Sequence, residues 1–270
     1  MQTGYYAATG GMVAQFNRMD TIASNLANVN TAGFKKDNLI MGDFERIYKI
    51  AQDELPIKNH TYEAASYFNR TMNRVPHVVD AFIDFSQGNI QQTGNALDLA
   101  LSKEENFFVV KTPAGNRLTR DGLFTLNNDG VLVNKRGHEV LSSDGTPIRF
   151  NSEDAIVVID KDGTISTNVP DTLQMAPNQQ IMVVSPENRR MLTKEGENNY
   201  IADPLDALIP ITDSGSVMQG YVEKSNVNPV HEMVALIEAN RLVGMYQKAM
   251  DSQMNDLNRD AIEKLAQTRK

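Results

Sequence analysis

The sequence predicts an α+β protein in which long antiparallel N- and C-terminal helices form a coiled-coil arm beside a central, mostly antiparallel β domain. Apolar residues recur at every seventh position near both ends of the 270-residue chain. Between these ends, short β-rich runs alternate with Asp-Gly turns. We expect a helical domain formed by residues 1–35 and 225–270, an extended linker over 36–84, and a β-rich domain over 85–224.

The two terminal segments share a heptad pattern. Met12, Met19 and Leu26 are spaced seven residues apart, and Phe16 and Ala23 lie four residues after the first two. This stripe is typical of a coiled-coil seam, and the C-terminal segment repeats it. We therefore expect assembly and packing contacts from Met12, Phe16, Met19, Ala23, Leu26, Leu236, Val243, Met250, Met254 and Leu257.

The middle of the chain has the pattern of a meandering antiparallel domain. Asp-Gly between apolar runs is a strong hairpin signal. It recurs at Asp121-Gly122, Asp129-Gly130, Asp144-Gly145 and Asp162-Gly163, beside runs such as "FFVVKT" and "AIVVI". A calcium loop would need acidic residues at alternate positions before the glycine and a glutamate six places later. No stretch of the sequence has that ladder.

Two asparagine-rich stretches mark the ends of the predicted helices, "NLANVNTAGFKK" at 25–36 and "EKSNVNPVHEM" at 223–233. Asparagine is a poor helix former whose side chain bonds to nearby backbone. Glycine supplies a positive φ where a chain turns, and proline is tolerated at the first helical position. We therefore expect turn and cap roles for Asn25, Asn28, Gly33, Phe34, Asn226, Asn228 and Pro229.

Composition excludes several classes of function. The chain has a net charge of −8 without a basic stripe, so it lacks the electrostatic footprint of a nucleic-acid-binding protein. It has no cysteine, and its four histidines occur singly, so we expect no metal site. No catalytic or nucleotide-binding motif is present, and we expect no enzyme activity and no cofactor.

The terminal helices suggest a subunit of an assembly. Burying one apolar stripe does not offset the backbone entropy of ordering both helices, so we expect other chains to pack around them. The N-terminus lacks the basic and apolar regions of a signal peptide, and no apolar run is long enough to span a membrane. We therefore expect a protein without a cleaved signal peptide or a membrane span.

Long motifs resemble those of the bacterial flagellar rod and hook proteins. "DTIASNLANVNTAGFKK" (20–36) resembles the N-terminal motif of that family, and "GYVEKSNVNPVHEMVALIEANR" (220–241) resembles its C-terminal motif. The segment from "TGNALDLAL" to "DGTPI" (93–148) is similar to its β core, although the family usually has a glycine where this chain has Asn106. The resemblance implies a structural protein whose subunits stack helically into the hollow axial tube of the basal body.

The resemblance also implies partners and a location. Family members form a homopolymer, contact other rod, hook and basal-body ring proteins, and pass through the flagellar type III export apparatus to form the periplasmic rod. Chain length favours a rod subunit over a hook subunit. "GYVEKSNVNPVHEM" favours the distal-rod type and "MYQKAM" the proximal-rod type, and of the two we favour the distal type. A hook-type tube subunit and a soluble α+β binding protein are the alternatives.

Overall fold

A computed structural model shows a long helix near each end of the chain and short strands between them. Helix α1 comprises Gln2–Ala27, and helix α2 comprises Pro229–Gln267. Much of the predicted linker, residues 44–75, lies outside the described residues. The structure describes residues 2–43, 76–150, 156–168, 179–196, 198–202, 208–210 and 215–267.

Eighteen strands lie between the helices in these described ranges. Strands β1 and β2 fall within the segment that the sequence predicts to be a linker. A 3₁₀ turn, Arg189–Met191, precedes β14. The strands are β1 (Lys36–Asp43), β2 (Pro76–Asp84), β3 (Ile90–Gln92), β4 (Leu99–Leu101), β5 (Phe107–Thr112), β6 (Gly115–Thr119), β7 (Phe124–Leu126), β8 (Leu132–Asn134), β9 (Glu139–Val140), β10 (Ile156–Ile159), β11 (Thr164–Asn168), β12 (Gln179–Gln180), β13 (Val183–Pro186), β14 (Thr193–Lys194), β15 (Asn199–Ile201), β16 (Leu208–Pro210), β17 (Val217–Gln219) and β18 (Tyr221–Glu223).

The chain divides into two compact units. The first comprises Met1–Leu26, Asp37–Phe82 and Asn228–Lys270, and we call it the helical unit. The second comprises Ala27–Lys36 and Ile83–Val227, and we call it the β unit. Residues at the end of the N-terminal motif therefore belong to the β unit, together with strands β3 to β18.

The β unit is built on an antiparallel sheet with the strand order β14-β15-β6-β5-β9-β8-β7. The β5–β6 hairpin lies at its centre, with Phe108 opposite Thr119 and Thr112 opposite Gly115. Two smaller antiparallel pairs, β4 with β17 and β3 with β18, join strands from opposite ends of the unit's sequence. The last strands of the unit are thus needed to complete pairs that its first strands begin.

Strand β5 lies between two hydrophobic clusters. Phe108 and Val110 contribute to one cluster, and Phe107 and Val109 contribute to the other. Successive side chains point to opposite faces of a strand, so a strand that is buried on both faces has a continuous apolar sequence. The first cluster also contains Leu99, Phe124, Leu132, Ile148, Ile165, Ile181 and Val217, and the second contains Phe85, Leu118, Leu141, Val184, Leu192 and Tyr200.

The predicted coiled-coil arm is wrong, although two helices and a largely β centre are compatible with an α+β fold. A coiled coil would bury the large apolar residues of its heptads, yet Phe16 is 42% exposed and Met254 is 51% exposed. Val243 is buried, and the side chain of Leu257 lies outside the described residues. The other predicted seam residues are exposed or only partly buried: Met12, Met19, Ala23, Leu26, Leu236 and Met250.

Small and polar residues form the buried face of α1 instead. A Cβ at Gly11 would lie 2.6 Å from the ring of Tyr246, so glycine here leaves room for that ring. Oγ1 of Thr9 lies 3.5 Å from Sδ of Met250. The heptad pattern is identified from large apolar residues, whereas the two helices contact each other where the side chains are small. Among the residues of α1 whose side chains are described, the buried ones are Ala8, Gly11, Ala14, Gln15, Ile22 and Asn25.

Candidate functional site at the motif junction

The N- and C-terminal sequence motifs meet inside the β unit. We call this region the motif junction and define it as residues 32–36 and 223–227 together with Arg120. The backbone N–H of Gly33 donates to the carbonyl of Glu223 at 2.8 Å, and the N–H of Lys36 donates to Oδ1 of Asn226 at 2.8 Å. These bonds tie the two ends of the β unit's sequence to each other.

A buried ionic cluster lies at the centre of the junction. Nζ of Lys35 is 2.7 Å from Oε1 of Glu223, and Nη2 of Arg120 is 2.6 Å from Oε2 of the same carboxylate. All three side chains are at most 1% exposed. One carboxylate therefore binds two cations, one through each of its oxygens.

Backbone carbonyls satisfy further donors of the two cations. Nζ of Lys35 also donates to the carbonyl of Ser86 at 2.7 Å. Nη1 of Arg120 donates to the carbonyl of Lys103 at 2.7 Å and to the carbonyl of Asn106. Asn106 is fully buried and is not among the residues with positive φ in the described part of the chain. Its backbone is therefore not in the glycine-like conformation that the family pattern would favour.

Gly88 brings a backbone donor to the carboxylate. Its N–H donates to Oε1 of Glu223 at 2.9 Å. A Cβ at Gly88 would lie 1.9 Å from the carbonyl oxygen of Lys224, so only glycine permits this approach. The carboxylate of Glu223 thus accepts bonds from two side chains and from one backbone N–H.

Burial opposes the charge of both cations in the cluster. It lowers the pKa of Lys35 and the pKa of Arg120 from their ordinary values. The negative charge of Glu223 raises both pKa values and so offsets part of this effect. Since buried cations are stable only when they are paired, the position of Glu223 determines whether the cluster can form.

Gly33 allows the turn of the N-terminal motif to lie against the β unit. Its φ is +67°, and a Cβ there would lie 2.3 Å from the carbonyl carbon of Arg120 and 2.4 Å from the N of Asp121. A larger residue would therefore meet both backbone strain and a backbone clash.

Two further side chains of the β unit contact the turn that contains Gly33. Nδ2 of Asn198 donates to the carbonyl of Ala32 at 2.9 Å, and Asn198 itself has a φ of 64°. Nζ of Lys194 lies 4.0 Å from the centre of the Phe34 ring and donates to the carbonyl of Lys35 at 3.3 Å. Phe34 is buried, and this cation–π contact covers its face.

Asparagine side chains of the two motifs form hydrogen bonds within each unit. In the helical unit, Asn25 exchanges two hydrogen bonds with the backbone of Asp37, at 2.9 and 3.0 Å. In the β unit, Nδ2 of Asn226 donates to the carbonyl of Asp84 at 2.8 Å. Oδ1 of Asn28 accepts from Oγ1 of Thr31 at 3.2 Å. These contacts give a bonding role to the side chains of Asn25, Asn28 and Asn226, three of the asparagines in the two motifs.

Asn228 lies at the N-terminus of α2. Its Oδ1 accepts from the N–H of Val230 at 3.1 Å and from the N–H of His231 at 3.3 Å. Both donors lie in the first turn, where a helix has no partner of its own for them. Pro229 is the first residue of the helix, where its missing N–H costs no bond.

The sequence did not indicate Lys35, Arg120, Glu223 or Asn198 as site residues. Charged and amide side chains such as these are mostly solvated, and the contacts of these four join positions far apart in the chain. One signal was available, because Glu223 and Lys35 lie inside the two motifs themselves.

The junction holds segments of backbone together through buried polar groups. No group of three or more His, Cys, Asp or Glu residues is placed to hold a metal ion in the described residues. The described helices include none that is both long and apolar enough to cross a membrane.

Three families of flagellar proteins match segments of the chain. "Flagella basal body rod protein" matches residues 6–35, "Flagellar hook protein FlgE/F/G D1 domain" matches 103–167, and "Flagellar basal body rod FlgEFG protein C-terminal" matches 218–262. The first and last of these contain the two motifs that meet at the junction. The matched segments therefore define the class of flagellar rod and hook proteins.

Relatives that align over nearly the whole chain identify one family within this class of proteins. The chain is 32% identical over 267 residues to the flagellar basal-body rod protein FlgF of Caulobacter vibrioides, covering 98% of each chain. It is 31% identical to FlgF of Rhizobium meliloti over 100% of each chain. It is also 31% identical to the rod protein FlgG of Buchnera aphidicola subsp. Baizongia pistaciae, covering 91% of this chain and 93% of that one. The chain belongs to the flagellar basal-body rod protein family, of the FlgF/FlgG type, and is a structural subunit of the rod.

Proposed function

We propose that this subunit builds the periplasmic part of the rod by packing the outward face of α2 against neighbouring subunits. The observation that carries the proposal is a set of large apolar residues on one helix face. Val230, Met233, Val234 and Ile237 are 69%, 51%, 52% and 60% exposed. Their spacing of three and four residues places them on the same side of the helix. Large exposed apolar surface of this kind marks an interaction site.

Helix α1 carries a smaller surface of the same kind. Val13 and Phe16 are 51% and 42% exposed and lie one turn apart. Of the residues that the sequence predicts to pack in the assembly, Phe16, Ala23 and Met254 are exposed and available for contact with other chains. The membership of the family supports assembly of this chain with further copies and with other basal-body components.

The test is a charge on the exposed face of α2. Ile237→Glu places a carboxylate where a neighbouring subunit would bury the side chain, at the cost of desolvating it. We expect loss of motility and loss of the variant from purified basal bodies. Ala249→Glu is the matched control, because Ala249 is exposed on the same helix and lies outside the apolar face. Urea unfolding of both purified variants verifies that each still folds.

Normal incorporation of the Ile237→Glu variant would exclude this face as a subunit contact. Equal loss of both variants would also contradict the proposal, because the effect would then follow from charge on the helix in general.

We further propose that the chain takes the FlgF position, at the proximal part of the rod. Of the two short sequence patterns, "GYVEKSNVNPVHEM" favours the distal type and "MYQKAM" favours the proximal type. The matches to FlgF of two species, which span 98–100% of both chains, support the proximal assignment. Deletion of the gene in the source bacterium, followed by electron cryotomography, tests the position. We expect arrested basal bodies in which the proximal rod is incomplete and the distal rod is absent. Arrested structures that retain a complete proximal rod would assign the chain to the distal position.

A further inference from the structure

The buried ionic cluster has a consequence for how the β unit closes. Lys35 lies at the start of the unit's sequence, Arg120 lies in its middle, and Glu223 lies on β18, its last strand. Strands β17 and β18 complete the pairs that β4 and β3 begin. Formation of the cluster therefore requires the first and the last parts of the β unit at the same time.

The cluster contains more positive than negative charge. Two cations share a single carboxylate, and all three side chains are almost fully buried. Asp84 raises the pKa of Lys35 and Glu104 raises the pKa of Arg120, but each does so less than Glu223. Without Glu223, two cations would have to leave water for an interior that offers them mainly carbonyl oxygens, which is strongly unfavourable.

We propose that Glu223 is a latch that makes closure of the β unit conditional on its last strand. Before β18 is in place, Lys35 and Arg120 stay hydrated, and the segments that carry them do not pack. Once β18 pairs with β3, the carboxylate neutralises both cations, and the N-terminal turn and the region around Arg120 close together. The latch involves residues of one chain only, so it does not depend on whether the subunit is in the proximal or the distal rod.

Pulsed hydrogen exchange during refolding of the full chain from urea tests the latch. We expect amides of β5–β6 and of β17–β18 in the wild-type chain to become protected in one phase. The triple variant Lys35→Met, Arg120→Met, Glu223→Met removes the charges but keeps apolar volume, a change that proteins often tolerate. In this variant we expect β5–β6 to become protected at least about tenfold earlier than β17–β18, because closure no longer waits for a carboxylate.

Glu223→Gln measures the contribution of the carboxylate alone. It leaves two buried cations without their counter-charge, and we expect the unfolding equilibrium constant of the β unit to rise by at least about 100-fold. Glu139→Gln is the matched control, because Glu139 forms a partly exposed pair with Lys111 at 4.0 Å. We expect its effect to stay below about threefold.

Three outcomes would overturn the latch. The first is a wild-type chain in which β5–β6 becomes protected before β17–β18. The second is a triple variant that either keeps a single phase or fails to fold. The third is an effect of Glu223→Gln no larger than that of Glu139→Gln.

Discussion

Two backbone demands coincide at Gly33, a positive φ and a close approach to the backbone of Arg120. We expect Gly33→Ala to lower the free energy of unfolding of the β unit by about 3 kcal/mol or more, since strain and a backbone clash add. Gly137 is a control for backbone strain without a clash, because its φ is +82° but no atom lies within 4 Å of a Cβ placed there. Gly137→Ala should cost only about 1 kcal/mol. Urea unfolding measures both, and equal costs would exclude the proposed contact.

Asp121 follows Arg120 in sequence, and its carboxyl group has an energetic cost of a different kind. Burial raises the pKa of its carboxyl above the ordinary value, although its bond from the N–H of Leu123 at 3.0 Å opposes this. Between the unfolded and the folded pKa, the folded state binds more protons, so this group makes stability fall as pH rises through that window. Above the window, the cost of the buried charge applies in full.

We therefore expect Asp121→Asn to stabilise the β unit at pH 7, because an amide oxygen can keep the bond to Leu123 without a charge. Below the ordinary pKa of aspartate, the variant and the wild type should be equally stable. Urea unfolding from pH 3 to pH 7 gives the comparison, with Asp129→Asn in an exposed turn as the control. A variant that is less stable than wild type at pH 7 would show that the charge itself is needed.

At the scale of single elements, the two helices depend on a small residue. A Cβ at Gly11 would lie 2.6 Å from the ring of Tyr246. We expect Gly11→Ala to lower the free energy of unfolding of the helical unit by about 1–3 kcal/mol through overpacking. Gly244→Ala is the control, because no atom lies near a Cβ there and alanine favours a helix by about 1 kcal/mol. Circular dichroism during thermal unfolding distinguishes these opposite signs.

A second substitution tests whether the contact with Tyr246 causes the loss of stability in Gly11→Ala. Tyr246→Leu removes the ring that the added methyl would meet, so the double variant Gly11→Ala, Tyr246→Leu should recover much of the lost stability relative to Tyr246→Leu alone. Additive effects of the two changes would exclude this contact as the cause of the lost stability.

The elements differ in how far the sequence alone predicts them. The run "FFVV" in β5 and the glycine turns are local signals, and they predict hairpins because strand alternation and turn geometry depend on neighbouring residues. The heptad of Met12 and Met19 is an equally regular signal, but it does not identify which helix face has a partner within one chain. Gly11, which is not part of that heptad, lies where the helices meet.

At the scale of the whole molecule, the motif residues near Gly33 and Asn226 are indicated by their residue types and by the family resemblance. The charged members of the junction are not, because Lys35, Arg120 and Glu223 come together only through the closure of β3 with β18. A single sequence carries no local trace of that pairing. The chemistry of a site built from long-range contacts therefore becomes visible only in the folded chain.

The two units should also differ in local stability. The β unit buries two clusters of large apolar side chains. Among the side chains of α1 and α2 that the structure describes, the buried hydrophobic ones are mostly small. They are Ala8, Ala14, Ile22, Ala239 and Val243. Resistance to local opening follows the apolar contacts that opening would break, so the helices should open more readily than the β5–β6 hairpin.

Native-state hydrogen exchange on the isolated chain measures this difference. We expect amides of α1 and α2 to exchange at least about 100-fold faster than those of β5 and β6, which corresponds to about 2.7 kcal/mol of local stability. In purified basal bodies, contacts of Val234 and Ile237 with neighbouring subunits should slow the exchange of α2 toward that of the β unit. Uniform protection in the isolated chain would mean that the helices are already complete without partners, and the exposed face of α2 would then need another explanation.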